Sequence, residues 1–521
     1  MRRDVLLFLT DQHRKDTLGA YGGPGAQTPT LDALAAQGTT FDRFYTPTAI
    51  CTPARASLLT GAAPFRHQLI ANHERSIGYP VDLAEDQYTF AEDLREAGYH
   101  LGLVGKWHTG SRRRAADYGF DGPDLEGWHN PVDHPEYTAW LADHGLPPYA
   151  ITDEVRGTFP NGAPGNLLAA RLQQPAEATF ERFLSERAIG LLRTYAADRH
   201  ESGRPFYLAT HFFGPHLPYI LPAEYYDLHD PDDVVLPAST AETFAGKPPV
   251  QAAYSAHWTF DTLGDDVSRQ LVAAYRGYVT LVDHEIGRVL DAARELGVLD
   301  DAVVAFSADH GEFTGAHRLH DKGPAMYEDI YCIPGVVRVP GAPEGLRSSR
   351  FASLTDLTAT VLDVAGLDPS RAVDGRSLRP LVEGEDGAQL DPPWREDLVA
   401  EFHGHHFPYP QRMLVTDRYK LVVNPESVNE LYDLEADPDE LQNRYRHPEM
   451  ARVRDDLLRR LYEQLRARGD NFFHWMTSMY PVGAKDFDTS LSAFEGGTQH
   501  PGPRSTTPAI PGSPETAEVS A

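Results

Sequence analysis

Cys51 is one of only two cysteines among 521 residues. It opens the run Cys51-Thr52-Pro53-Ala54-Arg55-Ala56-Ser57-Leu58-Leu59-Thr60-Gly61. Pro53 suits the first turn of a helix, where its missing N–H would have no partner anyway. The residues after it are good or tolerable helix formers, and Gly61 suits a C-cap. A thiol at a helix N-terminus gains acidity from the partial positive charge there, and the same charge favours bound anions. Arg55 lies one turn along the same face and can reach back. The plain alternative is a buried cysteine acting as a small hydrophobe.

Two acidic pairs suggest a metal. Asp11-Gln12 follows the apolar run Val5–Thr10, and Asp309-His310 follows Ala302–Ser307. Each stands just past the C-terminal end of a run that reads as a buried strand. In an open α/β sheet that edge is where ligands bind, so the pairs converge if the two strands are neighbours. Carboxylate and amide oxygens suit a hard cation such as Ca²⁺ or Mg²⁺, and one imidazole is tolerated. Further cations and imidazoles also follow strands. Lys106 and His108 come after His100–Val104, and His216 sits between Pro215 and Pro218 after Pro205–Thr210. Lys322 shares a polar loop with His317, His320 and Asp321. Taken singly, these would be solvated lysines and satisfied histidines. His403, His405 and His406 read as a pocket rim rather than a metal site, and a pocket role for His317 and His320 is left open.

The elements that must position these groups alternate between strand and helix. Helices are expected over Pro29–Gln37, Thr89–Ala97, Pro175–Ala197, Asp265–Leu296 and Ser353–Ala365, with a further strand at Ile333–Val339. Residues 109–165 read as long loops with short elements, as in a pocket wall, and 221–262 as irregular. Past residue 366 the strand-like runs Leu398–His403, Arg412–Thr416 and Tyr419–Val423 precede a last helix near Glu449–Arg466. The expected organisation is an α/β catalytic domain at 1–370, a smaller α+β part at 371–486, and a Gly-, Pro-, Ser- and Thr-rich tail at 487–521 that is expected to be disordered.

The formal net charge of −29 argues against binding nucleic acid or another polyanion surface, so an anionic substrate must be held by a local cluster of cations. Two cysteines make no disulfide framework. The run Val5–Thr10 is too short for a signal-peptide core, and no run reaches membrane-spanning length. A cytoplasmic, membrane-free location is the expectation.

The Cys51 run resembles the signature of the type I sulfatases of the alkaline-phosphatase-like superfamily, in which the cysteine is oxidised to Cα-formylglycine. The likeness continues through Phe8-Leu9-Thr10-Asp11-Gln12, Gly105-Lys106-Trp107-His108, Pro215-His216-Leu217-Pro218, Asp309-His310-Gly311-Glu312 and Lys322-Gly323. It ends in Glu430-Leu431-Tyr432-Asp433-Leu434 with Asp437, Pro438, Glu440 and Asn443. The resemblance implies an alkaline-phosphatase-like α/β sandwich, a central mixed sheet flanked by helices, with a smaller C-terminal α+β domain. It implies a divalent cation, usually Ca²⁺ with Mg²⁺ or Mn²⁺ as substitutes, on Asp11, Gln12, Asp309, His310 and the modified Cys51. Many members carry two aspartates at the first pair, so Gln12 removes one charge.

The implied activity is hydrolysis of a sulfate monoester. One hydroxyl of the hydrated aldehyde attacks sulfur, and the other, once deprotonated, expels sulfate. By resemblance Arg55 and His108 hold the diol, with His108 as base for the second step. Lys106 and Lys322 bind sulfate oxygens, and His216 protonates the leaving group. Asn72 is a pocket residue by the same likeness. The implied partners are a small sulfate-ester substrate and a formylglycine-generating enzyme, with self-association as a further option. A rival in the superfamily is a phosphonate monoester hydrolase or phosphodiesterase, which tends to carry Tyr and Thr where this chain has Lys106 and His108. That pair favours sulfate monoesters. A rival of another class is an inactive metal- or anion-binding homologue, which the retained nucleophile and cations disfavour. The leaving group is expected to be a small alkyl, aryl or monosaccharide alcohol.

Overall fold

The computed structural model describes residues 2–473 apart from Pro24, 73–77, Asp124 and Glu426. The tail expected at 487–521 and the end of the 371–486 part lie outside the described residues. In chain order the first strands are β1 (Val5–Thr10), β2 (Thr39–Tyr45), β3 (His100–Gly105), β4 (Ile151–Thr158) and β5 (Pro164–Leu172). There follow β6 (Phe206–His211), β7 (Tyr219–Pro222), β8 (Val303–Ala308), β9 (Cys332–Ile333), β10 (Gly335–Arg338) and β11 (Leu346–Ser353). The last four are β12 (Asp397–Gly404), β13 (Pro408–Thr416), β14 (Tyr419–Val423) and β15 (Glu430–Asp433).

The main sheet has the order β11-β2-β10-β8-β1-β6-β3, with β9 paired to β2. β8, β1, β6 and β3 run parallel, while β10 is antiparallel to both β8 and β2. Its central strands are apolar without alternation because both faces are covered. Leu6, Phe8, Leu208, Val304 and Phe306 pack on one side against the helices Phe180–Ser202 and Asp265–Glu295. Val5, Leu7, Leu9, Ala209 and Ala305 pack on the other against the helices Cys51–Thr60, Phe90–Glu96 and Leu354–Val364. Among the described residues no helix is long and apolar enough to cross a membrane.

Several expectations shift. The strand expected over Ile333–Val339 is broken at Pro334 into β9 and β10, since proline cannot donate to a ladder. The helix expected from Pro175 starts at Phe180, where the Thr179 side chain accepts from Arg182 N at 3.2 Å, and it runs on to Ser202. The stretch read as loops contains the helix Pro135–Asp143 and much of an antiparallel hairpin, β4 with β5. β4 is mostly exposed, so it offers no apolar run to detect. Residues 221–262 hold the helix Pro249–His257.

The small sheet β12-β13-β14-β15 is antiparallel. One face (Val399, Leu414, Leu421, Val423, Leu431) packs on the helix Ala451–Arg468, while Ala400, Phe402, Met413, Val415 and Tyr432 join the core of the large sheet. Lys420 of β14 is fully buried between them, its Nζ 3.2 Å from Glu328 and paired with Glu440. Burial pushes the Glu440 carboxyl up to about 8 even against the pull of Lys420. Lys420→Met leaves the buried Glu440 and the partly exposed Glu328 without the cation they share and is expected to lower the unfolding free energy by about 3 kcal/mol in a urea titration, whereas a loss under about 1 kcal/mol would show that this ion pair does not fasten the small sheet.

Candidate active site

Strand register brings the chemistry together. Thr10 is paired with Ala308, Leu9 with His211, and Gly105 with His211, so Asp11, Asp309, His211 and Lys106 leave one edge of the sheet side by side. β2 is parallel to β8 through their common neighbour β10, so its C-terminal end points to the same edge and the chain enters the Cys51–Thr60 helix there. Ile50, at the N-cap, supplies no side-chain cap. Asn72 compensates, its Oδ1 accepting from Thr52 N at 3.1 Å.

Ligand-type atoms of Asp11, Cys51, Asp309 and His310 lie within 4.8 Å of one another, and all four residues are buried. Cys51 Sγ is 3.2 Å from His310 Nε2 and 3.8 Å from Asp11 Oδ1. His310 Nδ1 donates to Gly311 O at 2.8 Å, which turns Nε2 into the cluster. Burial works to lower the His310 pKa, but Asp309 and Cys51 outweigh it and hold it at about 9. This donor set fits a divalent cation: two carboxylates, one anchored imidazole, and the side chain of residue 51.

The Arg55 guanidinium does not stop at Cys51, as its position one turn along suggested. Its Nη2 meets Asp11 Oδ2 at 2.7 Å, its Nε meets Asp309 Oδ2 at 2.9 Å, and its Nη1 donates to Lys106 O at 3.0 Å. Lys106 Nζ reaches Asp11 Oδ2 at 2.8 Å and Trp128 O at 2.7 Å. Burial would raise the Asp11 pKa, yet Lys106, His216, Arg55 and His310 together hold it well below the usual carboxylate range.

On the far side Lys322 Nζ donates to Gln12 Oε1 at 3.0 Å and to Asp321 Oδ1 at 2.9 Å, and lies 3.0 Å from His216 Nε2. Burial and the neighbouring Lys322 charge push His216 well below the usual imidazole range, so its ring is neutral here. Gln12, in a left-handed conformation at φ 62°, is pinned by its N–H to Asp309 Oδ1 at 3.1 Å and by Tyr275 OH donating to its carbonyl at 2.7 Å. Its amide donates to Glu312.

A cavity of about 910 Å³ opens over the cluster, lined by Cys51, Asn72, His108, His216 and Lys322. Trp128, Trp258, Phe260, His405 and His406 form further wall. The histidine cluster divides. His403 turns to Glu401 Oε2 at 2.8 Å, while His405, bonded to Tyr254 OH at 2.9 Å, and His406 face the cavity. His317 and His320 do not line it. His317 stacks on Tyr327 at 3.6 Å between ring centroids, and His320 packs against Phe260.

Sequence reasoning left the supports unassigned. Glu312, Asp321, His211 and the Trp128 carbonyl each hold a site residue. Glu312 stood inside a recognised motif, and Asp321 stood beside Lys322. Nothing in the pattern marks a backbone carbonyl.

Residues 3–367 match the family described as sulfatase, and residues 315–467 match the C-terminal part described as N-sulphoglucosamine sulphohydrolase. The chain belongs to the sulfatase family, a family of enzymes that hydrolyse sulfate esters, and has the alkaline-phosphatase-like fold. An arylsulfatase of Clostridium perfringens is 27% identical, over 91% of this chain and 96% of its own. A multifunctional alkaline phosphatase superfamily protein, PehA of Trinickia caryophylli, is 29% identical over 92% and 98%. The crystal structure of a phosphonate monoester hydrolase of Agrobacterium radiobacter is similar with a TM-score of 0.74 and 26% identity, over 90% of this chain and 96% of that one.

Gly105, the last residue of β3, holds Lys106 in place at a φ of 108°, and a Cβ there would lie 1.8 Å from His211 O. Gly105→Ala is expected to cost at least about 2 kcal/mol of stability, read by chemical denaturation, because neither backbone can yield cheaply. Wild-type stability in that variant would show that the strand end is not pinned.

Proposed function

We propose that the protein hydrolyses a sulfate monoester with a nucleophile made from Cys51 by oxidation to formylglycine, beside a divalent cation, Ca²⁺ by preference. The observation that carries this is a mismatch in the donor set. Asp11 and Asp309 offer hard oxygens, and the Gln12 amide oxygen accepts from Lys322 Nζ, but Cys51 offers a soft sulfur. Here Sγ marks the place of the oxygen that a hydrated aldehyde would supply. Asp11, Asp309, His310 and residue 51, with Gln12, would hold the cation, which would lower the pKa of a hydroxyl on residue 51 and offset charge on sulfate oxygens.

The remaining work falls to this chain's own side chains. Lys106 and Lys322 flank the cluster and supply cations to the sulfate oxygens. Arg55 fixes the two carboxylates. His216 faces the ester oxygen; burial and the Lys322 charge keep its ring neutral, and a bound sulfate anion offsets the second of these, so the imidazole can hold the proton the leaving alcoholate needs. His108, half-buried on the cavity wall, would take a proton from residue 51, and Asn72 both caps the helix and lines the pocket. A formylglycine-generating enzyme is the required partner. A cytoplasmic location is part of the same reading, supported by two cysteines that are both free.

Phosphonate monoester hydrolysis is the second reading, supported by the likeness to the Agrobacterium radiobacter enzyme. Lys106 and His108 favour sulfate, and the double variant Lys106→Tyr, His108→Thr is expected to move the ratio of kcat/KM values from aryl sulfate toward aryl phosphonate. A wild-type preference for phosphonate would reverse the assignment.

Three measurements test the main reading. The peptide carrying Cys51, from the native host, should show the aldehyde by mass spectrometry, and Cys51→Ala should lose at least about a thousandfold in kcat/KM. Recovery of thiol alone, or full activity in the variant, would remove the mechanism. Ca²⁺ at about a hundred times its Kd should stabilise the wild type by about 2.7 kcal/mol, and Asp309→Asn should abolish the effect. Equal stabilisation of both would place the cation elsewhere.

A further inference from the structure

A second cavity, of about 300 Å³, adjoins the first and shares His129, Leu167, His216 and Pro218 with it. Its other walls bring together Asn130, Asp133, Tyr149, Glu181 and Tyr278. Glu181 is 2% exposed, and its Oε1 accepts from Tyr278 OH at 2.6 Å and from Asn130 Nδ2 at 2.8 Å. Among the described residues no ion pair to Glu181 is formed. Its helix neighbour Arg182 pairs with Glu285 at 2.8 Å instead, and no lysine or arginine lines the chamber among the described residues. Burial accordingly raises the Glu181 pKa. Tyr149 and Asp133 line the same chamber as Glu181, and burial, with the two carboxylates, pushes the Tyr149 phenol up to about 12.

The hydrogen-bond inventory of the chamber is lopsided. Asn130 spends its amide hydrogens on Glu181 and on Tyr278 OH at 3.0 Å, while its Oδ1 is buried without a partner. Carboxylate and amide oxygens are acceptors, so the occupant must donate. A buried carboxylate without a cation favours an occupant with positive charge. Tyr137, Phe180 and Tyr278 add aromatic surface, which also favours a cation, while the Phe213 ring already carries Lys106 Nζ at 5.7 Å from its centroid. The main cavity has the opposite character around Lys322 and His216, where an anion belongs.

We propose that the chamber is a subsite for a protonated primary amine on the leaving alcohol, so that the preferred substrates are sulfate esters of amino alcohols. The sulfate lies at Lys322, the ester oxygen at His216, and the ammonium beyond His216 against Glu181, Tyr149 and Asn130 Oδ1. This rests on the sulfate-ester reading above, but the amine site can be measured without turnover.

Calorimetry with ethanolamine and its neutral counterpart ethylene glycol reads the subsite directly. Ethanolamine is expected to bind the wild type at least about tenfold tighter than ethylene glycol, as a charged hydrogen bond to a buried carboxylate requires, and Glu181→Gln should erase the difference. In turnover, kcat/KM for ethanolamine sulfate should exceed that for ethylene glycol monosulfate by a similar factor, with the gap closed in Glu181→Gln and the value for the neutral ester kept. Tyr149→Phe, at a half-buried position, should shift both ratios the same way and serves if Glu181→Gln does not fold. Equal binding of the two probes by the wild type would overturn the proposal, as would a preference untouched by both variants. Ethanolamine binding without turnover of any sulfate ester would uphold the amine site and refute the sulfatase reading alone.

Discussion

Two carboxylates stand within the reach of one guanidinium, sealed from water, at the end of two adjacent parallel strands. Asp11 and Asp309 are both 0% exposed, and Arg55 meets one at 2.7 Å and the other at 2.9 Å. Without Arg55, burial and mutual repulsion would work against ionising both. That bridge ties the Cys51 helix to β1 and β8, and through Lys106 O to the end of β3. The rest of the site inherits its geometry from these contacts. Residue 51 lies where it does because a side chain one turn later is anchored on both carboxylates.

The protein as a whole carries a strongly negative charge, so attraction for a sulfate ester must be created locally. Lys106, Lys322 and Arg55 make a small cluster of cations in an acidic body. The C-terminal sheet adds His405 and His406 to the wall from a distant part of the chain. The arrangement thus sorts charge over a short span: lysines, Arg55 and two carboxylates around residue 51, and the Glu181 carboxyl, without an ion pair among the described residues, behind His216.

Much of this was legible in the sequence, and the reasons are specific. Strands buried on both faces announce themselves as unbroken apolar runs, so β1, β6 and β8 were readable, and a carboxylate at the end of such a run pointed to the ligand edge. The alternating, partly exposed β11 and the exposed β4 gave no such signal, because their pairing depends on neighbours rather than on their own apolarity. Site residues with distinctive types in recognised motifs could be named. Their supports could not, since Glu312 and Asp321 act through side-chain geometry and Trp128 acts through its backbone. Arg55 was found as a residue but not as a bridge, for its partners are set by register across the sheet. The separate fates of His403, His405 and His406 likewise follow from a bend in the chain between β12 and β13, not from composition.

All ten residues of the Cys51–Thr60 helix are buried, and Cys51 itself is 1% exposed. The helix is covered by Leu354–Val364, a segment some three hundred residues later, where Thr358 Oγ1 donates to Leu58 O. Burial of the helix therefore confines the approach to residue 51 to the cavity that Cys51 itself lines: whatever acts there has to fit that opening, because the backbone on either side is closed off by the packed segment behind it.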